Sequence, residues 1–327
     1  MNRNFPVGAI AFSLHIRYSI GVRNIDHIMN PYSPCLLPKV TFDTSAHNRL
    51  VDDSALAEPV LACIASKRFF RFAGLSIEEM VSCKDSNKRR TALFTSCRQL
   101  HDGPSDCLNT PNVLLTRLIL EHHKSPSTFD WLKVDVLTSE NDSIISSCGR
   151  VVNDDLSAEQ WKHQKEMIKQ YKQGFSDLRP KQDEVFANNN EVPPQTFREA
   201  VERHPDWIIS LRKGFYNRVA NTIASEEQIQ KFWDNCPPFR AVIYAISMSR
   251  YDLTARNRHV GEKFRAGRND LFMSIYLPYC DQFVTDEKEG EQGKCLREIA
   301  ALAGLATEVL SFENFSNSLL AATDATT

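Results

Sequence analysis

The chain is 327 residues long, 42% hydrophobic and 24% charged, proportions that suit one large or two modest globular domains and exclude a disordered or fibrous class. A net charge of -2 exerts no global pull toward nucleic acid or membrane, so an anionic partner has to be met by a local cluster of cations. Nine cysteines stand without a CxxC pair, which fits neither a disulfide framework nor a zinc ribbon and points to a reducing, cytoplasmic setting.

The first stretch, "FPVGAIAFSLHIRYSIGV", is apolar, yet His15 and Arg17 interrupt it and no small-residue cleavage site follows. It is too broken for a membrane span, which needs about 20 consecutive apolar residues. Residues 1–37 therefore read as a loosely attached arm, or as an extension upstream of a functional start at Met29. From residue 39 the chain alternates strands and helices. "KVTFD" is a strand, and "SALAEPVLACIASK" a helix with Pro59 in or near its first turn. "RFFRFAG" is a strand closed by Gly74, and "SIEEMVS" opens a helix with a capping-box pattern from Ser76 to Glu79. The helix "NKRRTALFTSCRQL" follows.

A long region of different character covers 139–254. Its amphipathic stretches "SAEQWKHQKEMIKQYKQGF" and "SEEQIQKFWDNC" each begin with a Ser-x-x-Gln cap, at Ser157 and Ser225, and "NNNEVPP" at 188–194 reads as a linker. Beyond it, "NDLFMSIYLPYC" reads as a helix, "QFVTD" as a strand, "CLREIAALAGL" as a helix stopped by Gly304, and "TEVLSF" as a last strand. Strands spaced by helices imply parallel pairing. The sequence thus predicts an α/β domain with a parallel sheet, formed by residues 38–138 and 255–316, interrupted by a mainly helical insertion at 139–254 and followed by a tail at 317–327.

In open parallel sheets, ligands bind beyond the carboxyl ends of the strands, where Asp43 and Asp286 both fall. Carboxylates gathered in such a crevice repel one another unless a cation joins them, and hard oxygen donors suit Mg²⁺ or Mn²⁺. Other chemistries lack their signatures: no P-loop, HExxH, GxSxG or GxGxxG is present. A dehalogenase-type phosphatase needs a second aspartate where Ser45 stands. His122 and His123 are adjacent, which puts them on different sides of a helix and makes them surface or half-buried residues rather than joint ligands. Each acid also has a plain reading as a helix cap, including Asp43, Asp286, Asp270 with Asn269, and Glu79 in its capping box; in that last case Glu78 would be the acid facing a metal.

Taken together, "KVTFDTSAHNRL", "LSIEEM", "GRNDLFMSIYL", "FVTDE" and the closing "TEVLSFENF" resemble, in order, the motifs of PIN-domain ribonucleases of the bacterial toxin type. The resemblance covers about residues 39–135 and 255–316. It implies four acids that bind one or two Mg²⁺ or Mn²⁺ ions and hydrolyse phosphodiester bonds in single-stranded RNA. Asp43 matches the first acid, Glu79 the second and Asp270 the third. The fourth stays open: strict Thr-x-acid spacing from Thr285 lands on Glu287, and the neighbouring Asp286 has the family's usual side chain and the shorter, stiffer reach. Asn48 and Thr285 fall among the substrate-contact positions. Ahead of Asp270, Arg256, Arg258, Lys263, Arg265 and Arg268 offer salt-dependent phosphate contacts, and Lys88, Arg89 and Arg90 form a second basic cluster. RNA is the partner implied, with an antitoxin-like protein and a homo-oligomer as further expectations. A different class is also open: a catalytically inactive PIN-like binding module, in which the displaced fourth acid marks lost activity.

Overall fold

The computed structural model describes residues 37–81, 87–134, 166, 194–254, 270–286 and 291–324. Five parallel strands form one sheet: β1 (Lys39–Phe42), β2 (Phe69–Ala73), β3 (Ser105–Leu108), β4 (Gln282–Thr285) and β5 (Glu308–Ser311), in the order β3-β2-β1-β4-β5. The predicted α/β class with parallel pairing is therefore observed. The sequence reading passed over β3, whose four residues "SDCL" carry too little apolar character to announce a strand. Its register instead rests on a cross-strand pair. Arg71 Nε and Nη2 donate to the two oxygens of the directly opposed Asp106 at 2.7 and 2.5 Å, and Nη1 donates to the Tyr279 carbonyl at 2.9 Å.

Successive strand side chains point to opposite faces, and each face has its own core. Val40, Phe42, Phe70, Phe72 and Val284 meet α1 (Thr44–Asp52), α2 (Ser54–Lys67), α3 (Gly74–Val81) and α4 (Asn87–His101), together with Phe312, Phe315 and Leu319 of the last helix. On the opposite face, Leu108, Phe283 and Val309 meet α5 (Pro111–Lys124), α6 (Phe197–Arg203), α7 (Pro205–Ala220), α8 (Glu226–Asn235), α9 (Pro237–Thr254), a 3₁₀ segment at Asp270–Tyr279 and α10 (Glu291–Leu302). The helices that precede β2 and β3 lie on one face, and the helix between β4 and β5 lies on the other. Right-handed crossovers require this when strand order runs outward in both directions from β1. The last helix, α11 (Phe312–Asp324), returns to the first face and carries the chain past the residue where the sequence places the end of the domain.

Several local signals act as predicted. Ser225 and Gln228 form the full capping box of α8. Gly304, at φ 66°, ends α10, with Leu305 N–H donating to the Ala300 carbonyl at 2.9 Å. Pro59 lies near the first turn of α2, at the start of the second. The stretch from Asp270 to Tyr279 is helical as read, wound as a 3₁₀ helix. The Ser76–Glu79 capping box does not form, because α3 begins two residues earlier at Gly74 and leaves Ser76 inside the helix. Gly74 itself is set by contact: a Cβ there would stand 2.7 Å from the Leu108 carbonyl oxygen.

His122 corrects the surface or half-buried assignment. It is buried on α5 among Phe129, Tyr216 and Phe232, with Nδ1 2.8 Å from the Tyr216 hydroxyl, while His123 is exposed as predicted. Residues 1–36 and the Ser157 helix, apart from residue 166, lie outside the described residues. Among those described, the cysteines form no disulfide and no helix is long and apolar enough to cross a membrane.

Candidate functional site

Strand order reverses between β1 and β4, so their adjacent carboxyl ends open onto the gap between helices that leave to opposite faces. Phe42 pairs with Val284, which sets Asp43 and Thr285 side by side one step beyond. The Asp43 N–H donates to the Val284 carbonyl at 3.0 Å, so the ladder holds the acid in place before its side chain makes any contact. Asp43 then turns the chain into α1. Its backbone is extended (φ -78°, ψ 176°), and its Oδ1 accepts from the Ala46 N–H at 2.8 Å and from the Ser45 hydroxyl at 2.7 Å. The plain reading of Asp43 as a helix cap is thus correct.

Capping is only part of its environment. Asp43 is 3% exposed, and burial pushes its carboxyl up from 3.8 to about 6. The Glu79 charge adds to the rise, while hydrogen bonds from Ala46, Ser45 and Thr285 oppose it. Glu79 reaches the site from α3, where its Oε2 accepts the Thr44 hydroxyl at 2.5 Å. The next residue back, Glu78, is pushed up to about 7 by burial and by the Glu79 charge. Ser76 anchors this approach by donating to the Phe42 carbonyl at 3.2 Å. Of the two glutamates, Glu79 is the one whose charge bears on Asp43.

The fourth strand is tied in through Ser45, a residue the motif reading gave no role. Its hydroxyl oxygen accepts the Asp286 N–H at 2.8 Å and lies 3.3 Å from the buried Thr285 hydroxyl, so one side chain links both strand ends. The Asp286 carboxylate faces Arg49, with Nε 3.6 Å from Oδ1. Ser45 and Arg49 stand four residues apart on α1, a spacing that would have shown them to share one ridge. Asn48 is held by Arg89, whose Nη2 donates to its Oδ1 at 3.0 Å while the same guanidinium grips Asp52 at 2.9 and 3.0 Å. Of the second basic cluster, Arg89 is thereby bound to α1 beside the site.

The third acid, Asp270, begins the 3₁₀ segment, and its side chain falls outside the described part. Glu287 and the basic residues Arg256, Arg258, Lys263, Arg265 and Arg268 also lie outside the described residues. Among the described residues, no group of three or more His, Cys, Asp or Glu stands ready to hold a metal ion. What the described part does assemble is a buried carboxylate raised by desolvation, Glu79 close enough to repel it, and Asp286 one strand away. These are hard oxygen donors of like charge, placed at neighbouring strand ends without closing into a ready-made group.

A scan of family models finds no match to this chain, and searches of curated proteins and of solved structures return none either.

Proposed function

We propose that the chain is a metal-dependent endoribonuclease of PIN-like type, cutting phosphodiester bonds in single-stranded RNA at the β1–β4 strand ends. The observation that carries this reading is Asp43. It is a buried carboxylate raised to about 6 at the topological switch point of the sheet, within the field of Glu79. Asp43 and Glu79, with Asp270 and either Asp286 or Glu287, would hold Mg²⁺ or Mn²⁺. Bound there, such an ion supplies a Lewis acid that makes water acidic enough to ionise near neutral pH and offsets charge on the scissile phosphate. The chain's own part is to fix the acids. Ser45 and the Ala46 amide hold Asp43, Thr44 holds Glu79, and Ser45 keeps the end of β4 against them. Arg258, Lys263, Arg265 and Arg268, with Asn48, are proposed as RNA contacts, while Thr285, buried beside Ser45, would serve by supporting Asp43 rather than by touching RNA. The 139–254 region would be a helical insertion, and an antitoxin-like protein a partner.

The test is cleavage of a labelled single-stranded RNA with Mg²⁺ and with Mn²⁺. Cutting should need the metal and fall by at least about a thousandfold, of the order expected when transition-state charge stabilisation is lost, in Asp43→Asn and in Asp270→Asn. Intact RNA with the wild-type chain across both metals overturns the reading. One contact favours the inactive-module alternative: Arg49 already engages the Asp286 carboxylate. Calorimetry separates the two, since an inactive module of that kind takes up no divalent ion at this site.

A further inference from the structure

Asp286 is held differently from Asp43. Ser45 takes its main-chain N–H and Arg49 faces its carboxylate, so one half-buried ridge of α1 grips the end of β4 at two points. Asp43, by contrast, takes its bonds from a main-chain amide and a hydroxyl. The Arg49 and Asp286 side chains are 42% and 43% exposed and 3.6 Å apart, the description of a weak ion pair in contact with water. A weak pair is one that a stronger cation can exchange. A divalent ion drawing on Asp286 would meet the guanidinium at the same oxygens, and the two positive charges repel.

We infer that Arg49 is a built-in counter-cation of the acidic site. It occupies the Asp286 carboxylate when no metal is bound, competes with a divalent ion for it, and so sets how tightly that ion is held. The inference rests on the reading of these acids as a divalent-cation site, and it deepens that reading by naming the residue that tunes its affinity. Arg49 thereby acts through Asp286, as a positioning residue.

The experiment is calorimetric titration of Mn²⁺ into the full chain at low salt, comparing wild type, Arg49→Gln and Arg49→Lys, with melting curves to establish that each is folded. Losing a partly exposed pair should tighten Mn²⁺ binding in Arg49→Gln by about two- to fivefold. Lysine, which keeps the charge, should stay near wild type, and raising the ionic strength should shrink the difference. In an Asp286→Asn background the same Arg49→Gln change should have no effect, which a general electrostatic or structural influence of Arg49 would not reproduce. Mn²⁺ binding seen only in Arg49→Gln also supports the inference. Equal or weaker binding in Arg49→Gln overturns it while leaving the metal site standing. No binding in either protein removes the proposed function and this inference together.

Discussion

Asparagine at position 43 should stabilise the protein in the absence of metal. In the folded chain, burial with added repulsion from Glu79 carries the Asp43 carboxyl from 3.8 to about 6. At 1.36 kcal/mol per pH unit, keeping it ionised at neutral pH costs about 3 kcal/mol. The folded state binds this proton more tightly than the unfolded chain does. The stability is therefore present in full below about pH 3.8 and is lost as pH rises through about 6. Asparagine keeps an oxygen to accept from the Ala46 amide and the Ser45 hydroxyl, and it caps helices well, with no charge to desolvate. The shift to about 6 already includes what those bonds give the charged form, so the net gain at pH 7.5 is about 3 kcal/mol. Urea unfolding with a chelator present, at pH 7.5 and at pH 4, measures it. Asp43→Asn should unfold at higher urea at pH 7.5, and the advantage should vanish at pH 4. Excess Mn²⁺ should then invert the order by stabilising only the wild type, by about 4.1 kcal/mol at a thousandfold excess over Kd. A variant less stable at pH 7.5, or a difference that persists on acidification, refutes the reasoning. The same variant would also show that lost cleavage is not lost folding.

His47 predicts an opposite slope: buried among Phe42, Phe70 and Phe72 with neither ring nitrogen bonded, it is pushed down to about 3 by burial. Below pH 6.5 the unfolded chain gains a proton the folded one refuses, so His47→Leu should gain about 2 kcal/mol over wild type between pH 7 and pH 5, read as the change in urea midpoint difference. Gly74→Ala should destabilise by about 1–3 kcal/mol in chemical denaturation, since its Cβ meets backbone at 2.7 Å rather than a flexible side-chain end.

The central strands were legible because each is a short run of apolar and β-branched residues that ends on a turn or acid signal. "KVTF" and "QFVT" bury three of four residues each, and hydrophobic pattern is what sequence reading detects best. β3 escaped because an edge strand needs one good face and one partner; here the decisive contact is an ion pair to Arg71, visible only once the register is known. The Ser76–Glu79 motif misled for a related reason. A capping box is a local signal, and the start of α3 is set by a long-range approach of Gly74 to the β3–α5 turn. At the site, Asp43 was read from its place at a strand end and Glu79 from the resemblance, while Ser45 and Arg49 were given no role. Their roles depend on the end of β4, some 240 residues away in the chain.

Capping alone does not account for Asp43. An asparagine or serine satisfies the first turn of α1 equally well and carries no charge into a 3% exposed pocket. The aspartate instead sits where burial and a neighbouring carboxylate both oppose its ionisation, and the fold adds hydroxyls from Ser45 and Thr285 that favour the charged form. An arrangement that both strains and supports the anion makes physical sense when something positive completes it. The topology supplies the place: β1 is central, the strand order reverses at its β4 edge, and α1 and α3 bring the acids to that one gap. A two-sided aromatic and aliphatic core can tolerate a local loss of about 3 kcal/mol, whereas a site built at an edge strand would have neither the burial that raises Asp43 nor the layers that offset it.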